Sequence, residues 1–102
     1  MKQKPFKDLK VLELSSVLAG PLAGTFFAEG GAEVLKVEHP VSGDVTRSWR
    51  AKGESTDSPI SAYYASANTY KKVVGKDLKS EEGRVWLEEQ LASTDLLLEN
   101  FK

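Results

Sequence analysis

The residues able to do chemistry in this sequence follow directly after short apolar runs. Four such stretches stand at residues 15–20, 38–40, 78–79 and 99–101. If the apolar runs are parallel strands, their carboxyl ends meet at one edge of a sheet, where open α/β sheets bind their ligands. We therefore predict that the four stretches converge on one crevice.

The first chemistry to weigh is dinucleotide binding. Glu38 follows Gly20 at close to the spacing of about 20 residues between a glycine-rich turn and a ribose-binding acid. However, residues 20–24 read Gly-Pro-Leu-Ala-Gly, so the second glycine of Gly-x-Gly-x-x-Gly is replaced. This makes NAD binding a minor alternative, and the competing interpretation is that Glu38 pairs with a cation at the end of its strand.

Nucleophilic catalysis is the second possibility, through Ser15 or Ser16. No Gly-x-Ser-x-Gly elbow surrounds either serine, and the only histidine, His39, is far away in the sequence. We expect these hydroxyls to cap the helix that follows them.

A phosphate-rich ligand is the third possibility. Five basic residues cluster around the third predicted strand and the helix after it: Lys71, Lys72, Lys76, Lys79 and Arg84. Helix N-termini predicted near Pro21 and Glu81 also favour anions, because their first backbone N–H groups are unpaired. The alternative is a solvated basic strand edge.

The elements that must position these residues alternate in type. Strands are predicted at about 10–14, 33–38, 71–78 and 96–98; helices at about 21–29, 61–67 and from 81; and a long loop at 39–58. The order β-α-β-loop-β-α-β predicts an α/β fold in which helices flank a parallel sheet. Helix 21–29 is apolar on most sides, which predicts burial on more than one face.

The composition sets limits on function. The chain has 102 residues, a net charge of −1 and no cysteine. One small domain fits this length, and the charge argues against nucleic-acid binding. The absence of cysteine excludes disulfide and thiolate chemistry and fits a cytoplasmic protein. A single histidine disfavours zinc, so no metal is expected. No apolar run approaches the roughly 20 residues of a membrane span, so no membrane association is expected.

Several segments together resemble a known family. They are Leu-Lys-Val-Leu-Glu-Leu at 9–14, Val-Leu-Ala-Gly-Pro at 17–21, Gly-Ala-Glu-Val-Leu-Lys-Val-Glu at 31–38, Gly-Asp-Val-Thr-Arg at 43–47, Lys-Lys at 71–72, Asp-Leu-Lys-Ser-Glu-Glu-Gly-Arg at 77–84 and Asp-Leu-Leu-Leu-Glu-Asn-Phe at 95–101. In this order the chain resembles the N-terminal part of the family III CoA-transferases. That superfamily includes formyl-CoA transferase, carnitine CoA-transferase and α-methylacyl-CoA racemase.

The resemblance implies a Rossmann-like domain, here a partial one, that binds coenzyme A or an acyl-CoA as substrate. Seven residues fall at positions of CoA contact in the family: Val17, Leu18, Ala19, His39, Lys79, Asn100 and Phe101. His39 stands where the family usually has an arginine near the adenine nucleotide. Lys79 matches a lysine that reaches the phosphates.

The resemblance also implies that other protein segments are needed for turnover. Family members are several times longer and form homodimers, so the expected partners are a CoA thioester and the remainder of the enzyme or a partner chain. No aspartate here matches the catalytic one that forms an acyl anhydride in the transferases, so no catalytic residue is assigned. CoA transfer between carboxylic acids is the favoured function. An α-methylacyl-CoA racemase-type member and a non-catalytic α/β interaction module are the alternatives.

Overall fold

The computed structural model describes residues 3–102. Its strands and α-helices, in chain order, are β1 (Lys10–Glu13), α1 (Ala19–Glu29), β2 (Glu33–Glu38), α2 (Ala62–Ala67), β3 (Lys72–Gly75), α3 (Glu81–Leu91) and β4 (Leu96–Leu98). A short 3₁₀ helix, Val45–Ser48, lies in the connection between β2 and α2. The predicted order of elements is confirmed, and the 3₁₀ helix is an addition to it.

The four strands form one parallel sheet in the order β3-β2-β1-β4. Val11 of β1 lies opposite Val34 of β2 on one side and Leu96 of β4 on the other. The strand order therefore reverses beside β1, which is the topology of the first half of a doubly wound α/β fold. The predicted α/β class is confirmed.

Alternating side chains of β1 and β2 build a core on each face of the sheet. On one face, Val11 and Val34 are buried against Phe27 of α1. On the other face, the buried residues Leu12, Leu14 and Val37 pack against Trp86 and Leu87 of α3. The sheet is therefore covered by one helix on each side, and its carboxyl edge is left for other contacts.

The two long helices begin differently. Ser80 caps α3, because its hydroxyl accepts a hydrogen bond from the N–H of Gly83 at 3.0 Å. The residue before α1 is Leu18, which provides no side-chain cap. The prediction that Ser15 or Ser16 caps α1 is therefore wrong. Ser15 instead packs against Gly20, where an added Cβ would lie 2.2 Å from the Ser15 Cβ.

One stripe of α1 is exposed. Leu22 is 47% exposed and Phe26 is 60% exposed, and their spacing of four residues places them on the same side of the helix. α1 packs against the sheet and, through buried Thr25, against Ala67 of α2. The prediction that α1 is buried on more than one face is therefore confirmed only in part, because the stripe with Leu22 and Phe26 faces solvent.

The long connection after β2 is ordered by one arginine. The Arg50 guanidinium donates hydrogen bonds to the backbone carbonyls of Ser55 and Ser58, each at 2.8 Å. It also pairs with Glu54 at 3.3 Å. The connection therefore folds back on itself before α2 begins.

Candidate functional site

A crevice of about 390 Å³ opens at the carboxyl edge of the sheet. All four stretches that follow the strands contribute to its wall. The lining residues are Leu14, Ser15, Ser16, Val37, Glu38, His39, Gly43, Asp44, Lys76, Asp77, Leu78, Lys79 and Phe101. The predicted convergence on one crevice is confirmed.

Three of the predicted CoA-contact residues, His39, Lys79 and Phe101, line this crevice, and Lys76 joins them. The His39 ring is oriented by its own turn, because Nδ1 accepts hydrogen bonds from the N–H groups of Val41 at 3.2 Å and Ser42 at 3.3 Å. In the neutral imidazole this leaves the proton on Nε2. The crevice thus combines two lysine ammonium groups with an imidazole N–H donor.

Asn100, also predicted to contact CoA, lies beside the crevice and forms hydrogen bonds with the backbone of the segment after β1. Its Oδ1 accepts a hydrogen bond from the Ser16 N–H at 3.1 Å, and its Nδ2 donates to the Ser16 carbonyl at 2.8 Å. Val17, Leu18 and Ala19 follow directly and lead into α1. Direct CoA contact by these four residues stays a prediction.

Val17 has an unusual backbone conformation, with φ of +71°. This left-handed region is strained for a β-branched residue, so surrounding contacts must hold it. The Val17 N–H donates to Oδ2 of Asp44 at 3.3 Å, and Nζ of Lys36 donates to the Ser15 carbonyl at 3.2 Å. The turn at residues 15–17 is therefore held by side chains of β2 and of the connection that follows it.

A buried ionic network lies beneath this turn. Lys36 Nζ is 3.2 Å from Glu13 Oε2 and 2.9 Å from Asp44 Oδ2, and Lys71 Nζ is 2.6 Å from Glu13 Oε1. All four side chains are fully excluded from solvent. Two ammonium groups face two carboxylates, so the formal charges cancel, which the low dielectric of an interior demands.

The network shifts the ionisation of its members. Burial alone would raise the pKa of Asp44, but hydrogen bonds from Lys36 and Thr46 outweigh burial and lower that pKa below its ordinary value. Burial lowers the pKa of Lys71, and the hydrogen bond with Glu13 opposes the shift only in part.

Lys71 does not belong to a phosphate-binding surface, contrary to the prediction. Its Nζ also donates to the carbonyls of Pro21 at 2.7 Å and Ala67 at 3.1 Å. This lysine therefore joins elements inside the fold. Of the five predicted basic residues, Lys76 and Lys79 are the ones that line the crevice.

Glu38 is also committed to structure. Arg47 donates from Nε to Oε1 at 2.6 Å and from a terminal nitrogen to Oε2 at 3.1 Å, and the Tyr64 hydroxyl donates to Oε2 at 2.6 Å. Burial alone would raise the pKa of Glu38. The hydrogen bonds from Arg47 and Tyr64 outweigh burial, so the pKa lies below its ordinary value. Both oxygens are occupied, which favours the ion-pair interpretation over a ribose contact.

Comparison with known proteins adds the family. A sequence model of CoA-transferase family III matches residues 6–102. The chain belongs to CoA-transferase family III. Within residues 3–102 of this family III chain, no helix is long and apolar enough to cross a membrane. The same residues hold no cluster of three or more metal-ligating side chains.

Relatives of this family III chain share its sequence and fold. It is 39% identical to the succinate–glutarate CoA-transferase of Agrobacterium fabrum, over 99% of this chain and 26% of that protein. It is 40% identical to the human succinyl-CoA:glutarate CoA-transferase, over 96% of this chain and 22% of that protein. A crystal structure of a CaiB/BaiF family protein from Brucella suis superposes with a TM-score of 0.85 and 38% identity, over 99% of this chain and 27% of that one. This chain therefore spans about a quarter of these relatives.

Sequence reasoning missed the roles of Lys36 and Asp44. Both lie in segments that carry the family III resemblance, 31–38 and 43–47, so the signal was present. Lys36 and Asp44 are 8 residues apart, whereas Glu13 is 23 residues from Lys36 and Val17 is 27 residues from Asp44. No local pattern indicates that these groups meet in the interior.

Proposed function

We propose that this chain is the CoA-binding N-terminal part of an enzyme that transfers CoA between carboxylic acids. The observation that carries the proposal is the crevice where all four strand-end segments meet, in a chain that belongs to CoA-transferase family III. Lys76 and Lys79 bring positive charge to this crevice, while Leu14, Leu78 and Phe101 bring apolar surface. CoA combines phosphates with a long, less polar arm, so both kinds of surface suit it.

Each lining residue has a distinct part in this proposal. Lys79 attracts a phosphate group of CoA by its charge. His39 donates a hydrogen bond from Nε2, because its Nδ1 is engaged by its own turn. Phe101, which is 65% exposed, offers its ring to the pantetheine arm. These contacts bind and orient the thioester.

The bond-making groups are expected from the remainder of the enzyme. The Agrobacterium and human relatives named above are CoA-transferases, which favours CoA transfer over racemisation as the reaction of the whole protein. The proposed partners are a CoA thioester, the rest of the enzyme and a second subunit. The proposed location is the cytoplasm.

The test is a calorimetric titration of the 102-residue chain with CoA, after circular dichroism has shown that the chain is folded. We expect saturable binding, and Lys79→Met should weaken it by about 3- to 10-fold because one charged contact contributes about 1 kcal/mol.

The matched control is Lys10→Met, because Lys10 is exposed at the opposite end of β1. This control should leave the affinity unchanged. A folded chain that shows no binding at millimolar CoA, or that loses the same affinity through either substitution, would contradict the proposal.

A further inference from the structure

We propose that the buried pair of Asp44 and Lys36 is a positioning device that holds the turn at residues 15–17 in the conformation that binds CoA. The inference rests on the proposed function, and it adds residues that act on the ligand only through the turn. Asp44 belongs to the wall of the crevice, but neither side chain has exposed surface, so the carboxylate and the ammonium group are not placed to contact CoA themselves.

The pair forms hydrogen bonds with the two peptide groups on either side of Ser16. Asp44 Oδ2 accepts the Val17 N–H at 3.3 Å, and Lys36 Nζ donates to the Ser15 carbonyl at 3.2 Å. Val17 is held at a φ of +71°, which a β-branched residue keeps only when its neighbours enforce it. These two hydrogen bonds restrain the turn at both of its ends.

Asp44 is itself held in one orientation. Its Oδ1 accepts hydrogen bonds from the Thr46 N–H at 3.0 Å and from the Thr46 hydroxyl at 2.8 Å. Its Oδ2 accepts from Lys36 at 2.9 Å as well as from Val17. Every one of these groups is a donor, so both oxygens must be acceptors. Only a carboxylate meets this demand, because an amide would present an N–H₂ group to a donor on one side.

A third contact reaches the turn from the segment that follows β4. Asn100 pairs with both backbone groups of Ser16, at 3.1 and 2.8 Å. The turn is thus fixed from two sides before any ligand arrives. A preformed turn spares the ligand the entropy cost of ordering it, so loosening the turn should appear as lost affinity.

The test compares Asp44→Asn with Thr25→Val in the 102-residue chain. Thr25 donates a buried hydrogen bond to the Ala67 carbonyl at 2.8 Å, away from the turn. Both variants lose buried hydrogen bonding, so both should melt at a lower temperature. Two measurements separate them: CoA affinity by calorimetry, and hydrogen exchange of the Val17 amide by NMR spectroscopy.

We expect Asp44→Asn to weaken CoA binding about tenfold and to speed Val17 exchange about tenfold, because a buried hydrogen bond to a charged group is lost. Thr25→Val should leave both within about twofold of wild type. Val17→Gly should cost less affinity in the Asp44→Asn background than in the wild type. Without Asp44, the strained φ of valine favours other conformations of the turn, and glycine removes that strain.

The outcomes distinguish this inference from the function on which it rests. A folded wild-type chain that binds no CoA overturns the proposed function, and the binding role of the pair with it. Wild-type binding that Asp44→Asn leaves intact overturns the positioning role alone, and so do equal affinity losses in Asp44→Asn and Thr25→Val. If Asp44→Asn does not fold, Thr46→Val removes one of the bonds that orient Asp44, and the same two measurements then decide.

Discussion

Lys36 Nζ lies 2.9 Å from Asp44 Oδ2, and neither side chain has any exposed surface. The same ammonium group reaches Glu13 at 3.2 Å, and Glu13 in turn pairs with Lys71. Charges alternate along this chain of contacts, so each buried ion has an opposite neighbour. Removing one member leaves the others uncompensated, and the first prediction follows from that imbalance.

Lys36→Met should lower the free energy of unfolding by about 3–5 kcal/mol, because it leaves buried carboxylates without their cation. The control is Lys72→Met, which removes an exposed lysine from β3. It should change the free energy by no more than about 0.5 kcal/mol. Urea denaturation followed by circular dichroism measures both. A loss below about 1 kcal/mol for Lys36→Met would show that the network is not a coupled unit.

The carboxylates predict how stability depends on pH. Burial alone raises the pKa values of Glu38 and Asp44, but their hydrogen bonds outweigh it, so both values lie below the ordinary 4.5 and 3.8. A folded-state pKa below the unfolded one adds stability that is complete above the unfolded value and is lost as pH falls through the folded value. The free energy of unfolding should therefore fall steeply below about pH 4.

The check on this pH dependence is Glu38→Gln, measured by urea denaturation between pH 3 and pH 7. The variant should be less stable at pH 7, because Arg47 and Tyr64 lose their carboxylate partner. Its stability should also fall less steeply in acid, since one titrating group is gone. Identical acid slopes in variant and wild type would contradict the prediction.

Gly20→Ala should destabilise the fold by about 1–3 kcal/mol through overpacking. An added Cβ would lie 2.2 Å from the Ser15 Cβ and 2.3 Å from its Oγ. Adding Ser15→Gly removes both obstructing atoms, so the double variant should be more stable than Gly20→Ala alone. Thermal melting measures the series. If the double variant is no more stable than Gly20→Ala, the clash with Ser15 is not the cause of the destabilisation.

The exposed stripe of α1 predicts self-association of the 102-residue chain. Leu22 and Phe26 present neighbouring apolar surface to solvent, and such patches promote association. Leu22→Gln should therefore lower the apparent mass measured by light scattering at high concentration, without a large change in melting temperature. Leu91→Gln on α3 is the control, because Leu91 is 39% exposed. If both substitutions lower the apparent mass equally, the exposed stripe of α1 is not the surface that drives association.

The sequence predicted the strands well where apolar residues alternate or run together. The predicted 33–38 coincides with β2, and the predicted 10–14 exceeds β1 by one residue. The third strand was predicted to continue to residue 78, but β3 ends at Gly75. Gly75 lies opposite Glu38, the last residue of β2, so β3 ends where its partner strand ends.

The interior charges could not be predicted, because their pattern is ordinary at the local level. In β2, Lys36 lies between Leu35 and Val37 in the sequence, a pattern that fits an exposed lysine equally well, yet it shares the buried face with Val34. Its neighbours Glu13 and Asp44 come from other elements, and only the folded sheet brings them together. The crevice was predictable for the opposite reason, since parallel strands send their carboxyl ends to one edge whatever their side chains.

Lys71 has a consequence for the order of events during synthesis. Its ammonium group joins Glu13 of β1, the Pro21 carbonyl of α1 and the Ala67 carbonyl of α2. The segment that completes these contacts leaves the ribosome long after β1 and α1. Until then Glu13 lacks one of its two cations, and the crevice lacks the wall that Lys76 and Lys79 form. We therefore expect the crevice to mature late in folding, when β3 docks on β2.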